Sequence, residues 1–259
     1  DQNETFLAAR LSGEFTLDDV IRGLSFSLSY YGQRESSVAS TYFRKTSKFG
    51  NSIMNHRTAS KQLINRSNQM LESLFHYNKT FGGMDVSLTG GYSVQKFFTE
   101  GFGMSGGNFL TDAFGYNNMG AALDFDNGSG DVFSDAYSNK LEAFVGSAML
   151  SFRSTYFLST TIRHDGSSRL GSNYKRGTFP GASPAVILSN LMDVRGLNLL
   201  KLRTGYGISG NQPQQPYASV ARWGVVNLSS QDGLYRPSSG LVQSANPDLR
   251  WEEKKEFNF

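Results

Sequence analysis

Alternation of apolar and polar residues is the dominant pattern of this chain. In the segment GLSFSLSYYG, residues 23–32, large apolar side chains alternate with serines: Leu24, Phe26, Leu28 and Tyr30 with Ser25, Ser27 and Ser29. Successive side chains of a β-strand point to opposite faces, so the segment predicts a strand with one apolar face and one hydroxyl face. In a soluble sheet the apolar face would pack on a core. In a membrane barrel it would face lipid, and the serines would line a watery lumen.

The same alternation returns in MDVSLTGGYSV (84–94), YFLSTTIR (156–163) and LLKLRTGYGIS (199–209). About ten such runs, each roughly 9 to 13 residues long, match the length that a tilted strand needs to cross a bilayer. Aromatic residues at strand ends, among them Tyr30, Phe98, Tyr156 and Trp251, are typical of the girdles at membrane interfaces.

The predicted connections are unequal in length. Gly82 and Gly83 form a tight turn, whereas residues 45–70, 98–139 and 210–248 are predicted to be long polar loops. Short turns at one end and long loops at the other are the rule for outer-membrane barrels. The chain has 28 Gly and 18% charged residues, and soluble domains average about 25% charged residues. The pattern therefore favours a membrane barrel, with a secreted β-sandwich as the alternative.

Other classes of function find little support in the sequence. No run of 18 apolar residues predicts a spanning helix, and the absence of Cys excludes disulfides and Cys-ligated zinc. A net charge of +3 without a basic cluster gives no nucleic-acid footprint. His56, His76 and His164 lack metal-ligand spacing. The acidic segment 122–135 has Ser129 where a calcium loop needs Gly. We expect no metal, no cofactor and no catalytic residue.

Three ordered motifs add a specific resemblance. RHDGSSRLGSNYKRGTFPGAS (163–183), LLKLRTGYGISGNQ (199–212) and NPDLRWE (246–252) resemble the signature segments of the SusC/RagA family of TonB-dependent outer-membrane transporters, and YNKTFG (77–82) is a weaker match. Leu170 and Gly181 depart from the family pattern, which usually has Phe and Ser there.

The resemblance implies an all-β fold, an antiparallel transmembrane barrel of which residues 1–259 form about ten strands, completed by strands and a plug outside this segment. It implies a multi-pass protein of the outer membrane that actively imports oligosaccharide or peptide. The implied partners are a SusD-like lipoprotein, the TonB-ExbB-ExbD complex, the substrate and the lipid bilayer. A passive porin and a soluble carbohydrate-binding sandwich are the alternatives.

Candidate site residues fall into two groups. Polar residues at the lumen and rim, predicted to contact substrate or plug, are Arg163, Asp165, Arg169, Lys201 and Arg203. An ion pair between Asp165 and Arg169 across the turn is one expectation, and turn chemistry is the alternative role. Loop aromatics that could contact a ligand or lid are Phe109, Phe114, Tyr116 and Trp223. Packing within the loops is the alternative for these four.

Overall fold

The computed structural model describes residues 1–48, 57–192, 196–231 and 234–259. The strands are β1 (Gln2–Thr16), β2 (Leu24–Phe43), β3 (Thr58–Phe81), β4 (Met84–Gly107), β5 (Asp131–Phe152), β6 (Tyr156–Ser167), β7 (Arg176–Ile187), β8 (Lys201–Arg203), β9 (Gly205–Asn211), β10 (Arg222–Gln231), β11 (Leu234–Gln243) and β12 (Glu252–Asn258). Short helices are α1 (Leu123–Asp126) and three 3-10 turns at Gly115–Asn117, Met119–Ala121 and Leu188–Asn190. None of the helices in the described ranges is long and apolar enough to cross a bilayer.

The strands form one ten-stranded antiparallel sheet and one separate hairpin. The sheet runs in the order β1-β2-β3-β4-β5-β6-β7-β9-β12, with β8 also paired to β7, and β10 pairs with β11. Consecutive strands are therefore neighbours through most of the sheet. This topology confirms the predicted all-β antiparallel class and the predicted number of strands.

Several strands are longer than the sequence pattern predicts. β3 and β4 each have 24 residues and β5 has 22, so much of the predicted loops 45–70 and 98–139 is strand. The β10–β11 hairpin likewise lies inside the predicted loop 210–248. The extension of β3 carries polar side chains that pair across strands, as in the ion pair of Arg66 with Glu35 on β2. A strand that is polar on both faces shows no hydrophobic alternation, and the pattern therefore missed it.

The chain divides into two compact units. The first comprises Asp1–Arg10, Tyr31–Gln69 and Phe97–Ser138. Its core is a cluster of four buried residues, Ala59, Phe109, Met119 and Ala122, with Tyr42, Met104, Tyr116, Ala121 and Phe125 packed against it. Tyr42 also donates a hydrogen bond of 2.8 Å to Asp112, which accepts a second one of 2.8 Å from Arg57. The segment between β4 and β5 is thus a folded loop that shares a small core with Ala59 of β3 and Tyr42 of β2.

The second unit comprises Leu11–Tyr30, Met70–Lys96 and Asn139–Phe259. On one face Phe26 lies with ring centroids 6.4 Å from Phe15 and 4.9 Å from Phe75, its neighbours on adjacent strands. Leu28 and Tyr30 on the same face are 41% and 46% exposed. Phe26 of β2 therefore packs against side chains of the neighbouring strands in its own sheet. We call this side of the second unit the apolar face.

The opposite side of the second unit, the polar face, carries hydrogen-bonding side chains. His76 of β3 lies 3.2 Å from Ser27 Oγ on β2 and 3.1 Å from Thr89 Oγ1 on β4. Because His76 follows Phe75 directly, the two side chains point to opposite faces. The predicted separation of apolar and hydroxyl-bearing positions is therefore present in the folded sheet.

Candidate functional site on the polar face

The register of β5, β6 and β7 places two of the predicted site residues on the polar face. Arg163 of β6 pairs with Val145 and Phe179, and Asp165 pairs with Ala143 and Gly177. Directly opposed residues of an antiparallel sheet share a face, and Ile162 and His164 point to the other side. Arg163 and Asp165 therefore continue the line of Ser159 and Thr161, as the alternation predicts.

Arg163 and Asp165 form a paired acid and base at the strand surface. Arg163 Nε and Nη2 each donate to an Asp165 carboxylate oxygen at 3.3 Å. The Arg163 side chain is half exposed, so this ion pair contributes little to folding. Both partners keep hydrogen-bonding capacity toward solvent or a ligand.

A cavity of about 300 Å³ opens beside this pair. Its walls also include Gln95 of β4, Asn211 at the end of β9, and Gln212 and Trp251. Amides that both donate and accept, one aromatic face and one acid–base pair are the groups that bind hydroxyls or peptide amides. The arrangement suits an uncharged polar ligand and contains nothing that resembles a reaction centre.

Trp251 is a cavity residue that the sequence pattern placed elsewhere. It was predicted to lie in an interfacial aromatic girdle, but its ring packs edge-on against Phe179 at 5.3 Å and lines the cavity. Its Nε1–H is buried and has no hydrogen-bond partner among the described residues. The sequence does not show to which face of the sheet a tryptophan just outside a strand points.

Lys201 and Arg203 lie on the polar face as well. In β8, Lys201 pairs with Ile187 and Arg203 pairs with Ala185, and Ala185 in turn opposes Phe157 of β6. The Lys201 ammonium lies 5.0 Å from the centroid of the Phe157 ring, within the range of a cation–π contact. Neither residue lines the cavity beside Arg163, so these cations form a separate part of the polar face.

Arg169 has a different role from the predicted ion pair with Asp165. Its Nη1 donates to the carbonyl oxygens of Pro213 at 3.0 Å and Gln214 at 2.9 Å, and its Nη2 donates to Asn139 Oδ1 at 3.0 Å. The predicted Asp165–Arg169 pair is therefore wrong, because Asp165 binds Arg163 within β6 while the chain turns away after Ser167. Arg169 therefore joins the loop after β6 to the segment after β9 by hydrogen bonds.

The three sequence motifs meet at this point, which we call the motif junction: residues 165–173, 210–214 and 246–252. Ser167 Oγ donates to Gln212 Oε1 at 2.6 Å, Gly171 N donates to Leu249 O at 2.8 Å, and Asn173 Nδ2 donates to Asp248 Oδ1 at 2.7 Å. Leu170 at its centre is only 1% exposed. The motifs are thus joined by packing and hydrogen bonds, which is a structural reason for their composition.

The loop aromatics separate into buried and exposed residues. Phe109 is 3% exposed in the core of the first unit, where it packs edge-on against Tyr42 at 5.9 Å. Tyr116 packs against the same core and donates a hydrogen bond to Asp1. Both follow the alternative of packing within the loop. Phe114 and Trp223 are 48% and 71% exposed.

The acidic segment 122–135 folds around α1. Asp124 accepts a hydrogen bond from Asn108 Nδ2, and its carbonyl oxygen accepts the Ser129 and Gly130 backbone N–H groups at 2.8 Å. Within the part of the chain that is described, no three His, Cys, Asp or Glu side chains form a metal-binding group. His56 lies outside the described residues.

The fold and its two faces are those of a strand-built membrane protein: long antiparallel neighbouring strands, apolar on one side and polar on the other. Three solved structures of the RagAB peptide transporter share this fold. The first has a TM-score of 0.77 at 18% sequence identity and covers 99% of this chain and 28% of that chain. A RagAB importer in the closed-closed state matches with a TM-score of 0.76 at 17% identity.

The proteins related to this chain in sequence are TonB-dependent receptors. The chain is 28% identical over 249 residues to TonB-dependent receptor P3 and 32% identical over 194 residues to TonB-dependent receptor P39, both of Formosa agariphila. It is 29% identical over 190 residues to TonB-dependent receptor SusC of Bacteroides thetaiotaomicron. No protein-family model matches. The chain is a relative of the SusC/RagA-type TonB-dependent receptors, as its motifs indicated, and these relatives are not enzymes.

The matches cover most of this chain but a small part of each relative. They take in 93%, 73% and 70% of this chain, and 24%, 18% and 18% of the three receptors. The chain therefore spans about a quarter or less of the length of the curated relatives it matches.

Proposed function

We propose that residues 1–259 form part of the transmembrane barrel of a larger TonB-dependent receptor in the outer membrane, and that the whole receptor actively imports oligosaccharide or peptide nutrients. The observation that carries the proposal is the separation of the two faces of the sheet in a relative of these receptors. The row of Phe15, Phe26 and Phe75 would contact lipid, and the row of Ser27, His76 and Thr89 would line the aqueous interior.

The polar face supplies the groups for a substrate or plug. Arg163 and Asp165 border the cavity of about 300 Å³ together with Gln95, Asn211 and Trp251. Paired charges and amides bind the hydroxyls of a sugar or the amides of a peptide, and the indole offers a stacking surface. Lys201 and Arg203 would contact the plug or substrate elsewhere on this face. The structural neighbours are peptide transporters, which favours peptide among the two substrate classes.

Partners follow from the same proposal. An inner-membrane TonB-ExbB-ExbD complex would supply energy, and a SusD-like lipoprotein would cover the external loops. Trp223 and Phe114 are the exposed aromatics that would contact such a lid or a ligand, because large aromatic side chains dominate contact energies at interfaces. Phe109 and Tyr116 would instead hold the loop in shape.

Uptake by the full receptor tests active import. Cells that depend on this receptor are given labelled oligosaccharide or peptide pools, with and without a protonophore. We expect uptake of one pool, and its loss when the proton gradient collapses. Uptake that survives the protonophore would support the passive porin instead, and a receptor recovered from cells without detergent would support the soluble sandwich.

A pair of variants tests the site. Arg163→Gln removes a cation beside the cavity, whereas Lys255→Gln removes one from the opposite side of the sheet, because Lys255 pairs with Ile208 and not with a polar-face residue. We expect Arg163→Gln to raise the half-saturating substrate concentration and Lys255→Gln to leave it unchanged. Equal effects of the two variants would remove Arg163 from the binding surface.

A further inference from the structure

The apolar face of the second unit ends in a charged row on β5, β6 and β7. One row of directly paired residues is Gly146, Ile162 and Pro180, the next is Phe144, His164 and Thr178, and the third is Glu142, Gly166 and Arg176. Phe144 and Ile162 are about half exposed. Within three rows, the surface that would contact lipid therefore changes from apolar to ionic.

A cavity of about 190 Å³ lies over Gly166 in the charged row. Gly166 separates Glu142 from Arg176, and its missing side chain leaves the space open. Lys140, Lys175 and Arg176 surround the cavity, so three cations face one carboxylate. Glu142 binds Lys140 at 2.6 Å and Arg176 at 3.5 Å.

Hydroxyl groups complete the lining. Ser167 and Ser168 border the same cavity. Ser168 Oγ accepts the Lys140 backbone N–H at 2.9 Å, which leaves the hydroxyl hydrogen to donate. The Ser167 hydroxyl already donates to Gln212, so Ser168 supplies the hydroxyl donor. An arginine fork, two ammonium groups and a hydroxyl donor are groups that bind phosphate oxygens.

We propose that this cavity, defined by Lys140, Gly166, Lys175 and Arg176, binds the phosphate-bearing headgroup of a membrane lipid whose acyl chains lie along the exposed Phe144 and Ile162. Basic side chains at the border of an apolar surface attract anionic headgroups, and the two cations in excess of Glu142 would be screened far less beside lipid than in open solvent. The inference rests on the proposed membrane placement of the sheet.

The strand topology indicates in which leaflet of the membrane the proposed headgroup would lie. The tight turns Gly82–Gly83 and Arg153–Thr155 lie at one end of the strands, whereas the charged row lies at the end where β6 leads into the loop 168–175. Short turns are periplasmic and longer loops are external in outer-membrane barrels. The headgroup would therefore belong to the outer leaflet.

Native mass spectrometry of the full receptor in detergent tests the proposal. The probes are a diphosphorylated lipid A, the same lipid after removal of its phosphates, and inorganic phosphate. We expect the phosphorylated lipid to remain bound, and the double variant Lys140→Gln with Arg176→Gln to retain it at least about tenfold more weakly. Lys254→Gln is the matched control, because Lys254 is also paired with a carboxylate but lies on the polar face.

Gly166→Leu tests the cavity without a change in charge. A Cβ at Gly166 would meet Arg176 Cγ at 3.5 Å, an ordinary contact, so a leucine fills the space and should release the lipid. Equal retention of the phosphorylated and dephosphorylated lipids would overturn the proposal. So would full displacement by inorganic phosphate, which would make the cavity a site for free anions. Detergent extraction of each variant from the outer membrane separates these outcomes from a failure of the proposed membrane placement.

Discussion

Ser27 Oγ lies 3.2 Å from Nε2 of His76, on the neighbouring strand. The other ring nitrogen of His76 lies 3.1 Å from Thr89 Oγ1, so one imidazole bridges three strands on the polar face. The preceding residue, Phe75, packs on Phe26 at 4.9 Å on the apolar face. Two consecutive residues of β3 thus link it to β2, by a hydrogen bond on one side and by an aromatic contact on the other.

Replacement of His76 by leucine should destabilise the receptor by about 1–3 kcal/mol, because two hydrogen bonds of about 0.5–1.5 kcal/mol each are lost. Denaturant unfolding of the full receptor in lipid vesicles measures the change. His164→Leu is the control: His164 has one such contact, to Thr178 at 2.9 Å, and lies beside Phe144 on the apolar face. It should cost less, and an equal loss would contradict the assignment of the two faces.

Arg169→Met should lower the free energy of unfolding by about 3 kcal/mol, because two acceptors of the motif junction and Asn139 of β5, which is 4% exposed, lose a charged donor. Arg163→Met removes an exposed ion pair and should cost less than about 1 kcal/mol. Both are measured by denaturant unfolding. A larger loss for Arg163→Met would mean that the junction is not what joins the three motifs.

Gly171→Ala tests close packing at the same junction. A Cβ at Gly171 would lie 2.1 Å from the carbonyl oxygen of Pro247, whereas a Cβ at Gly207 meets nothing within 4 Å. We expect Gly171→Ala to cost about 1–3 kcal/mol by overpacking and Gly207→Ala to cost less. Thermal unfolding of the two variants makes the comparison. Similar melting temperatures would contradict the close approach of the first and third motifs.

Tyr42 lies at the far end of β2 and binds Asp112 in the loop between β4 and β5. We expect its hydroxyl to give the first unit an alkaline transition. Burial and the hydrogen bond to Asp112 raise the pKa of Tyr42 to about 12. Because this pKa exceeds the usual value near 10, the stabilisation is complete below pH 10 and is lost as the pH rises toward 12. Phenolate absorbance of wild type minus Tyr42→Phe should show the late titration. A normal titration would show that the hydrogen bond to Asp112 is not formed.

The hydrogen bond between Tyr42 and Asp112 also makes stability depend on pH in the acid range. There, stability falls as the pH falls. The hydrogen bond from Tyr42, and after it the Arg57 guanidinium, lower the pKa of Asp112. A lowered carboxyl pKa stabilises the fold above the ordinary Asp value, and this stabilisation is lost as the pH falls through the lowered value. Asp112→Asn should therefore remove the acid dependence of this loop in a pH series of unfolding measurements. It should only reduce the alkaline dependence, because burial is the larger cause of the raised Tyr42 pKa.

The alternation of residues was sufficient to predict the two faces, since Ser27 and Phe26 or Arg163 and Ile162 must point apart in any regular strand. The motifs also indicated the family. The length of β3 could not be predicted, because residues 58–70 carry polar side chains on both faces, among them Arg66, which pairs with Glu35. The partners of Arg169 could not be predicted either: they lie 30, 44 and 45 residues away, and only the fold brings them together.

The position of Trp251 is a second feature that the sequence could not predict. Its edge-on contact with Phe179 depends on how the end of one strand meets a segment of another, and a single aromatic residue carries no register information. The same holds for the cavity over Gly166. Its three cations are ordinary surface residues in the sequence and become one group only through the pairing of β5, β6 and β7.

The central claim is that one side of the sheet contacts lipid and the other contacts water. It is tested most directly at two adjacent residues of β6, Leu158 and Ser159. Single cysteines replace Leu158 or Ser159 in a cysteine-free version of the full receptor, and a fluorophore at each is exposed to nitroxide-labelled lipid or to aqueous iodide. The account predicts quenching by lipid at position 158 and by iodide at position 159. Quenching of both positions by iodide alone, or the reverse alternation, would contradict a sheet with one side in the bilayer and the other in water.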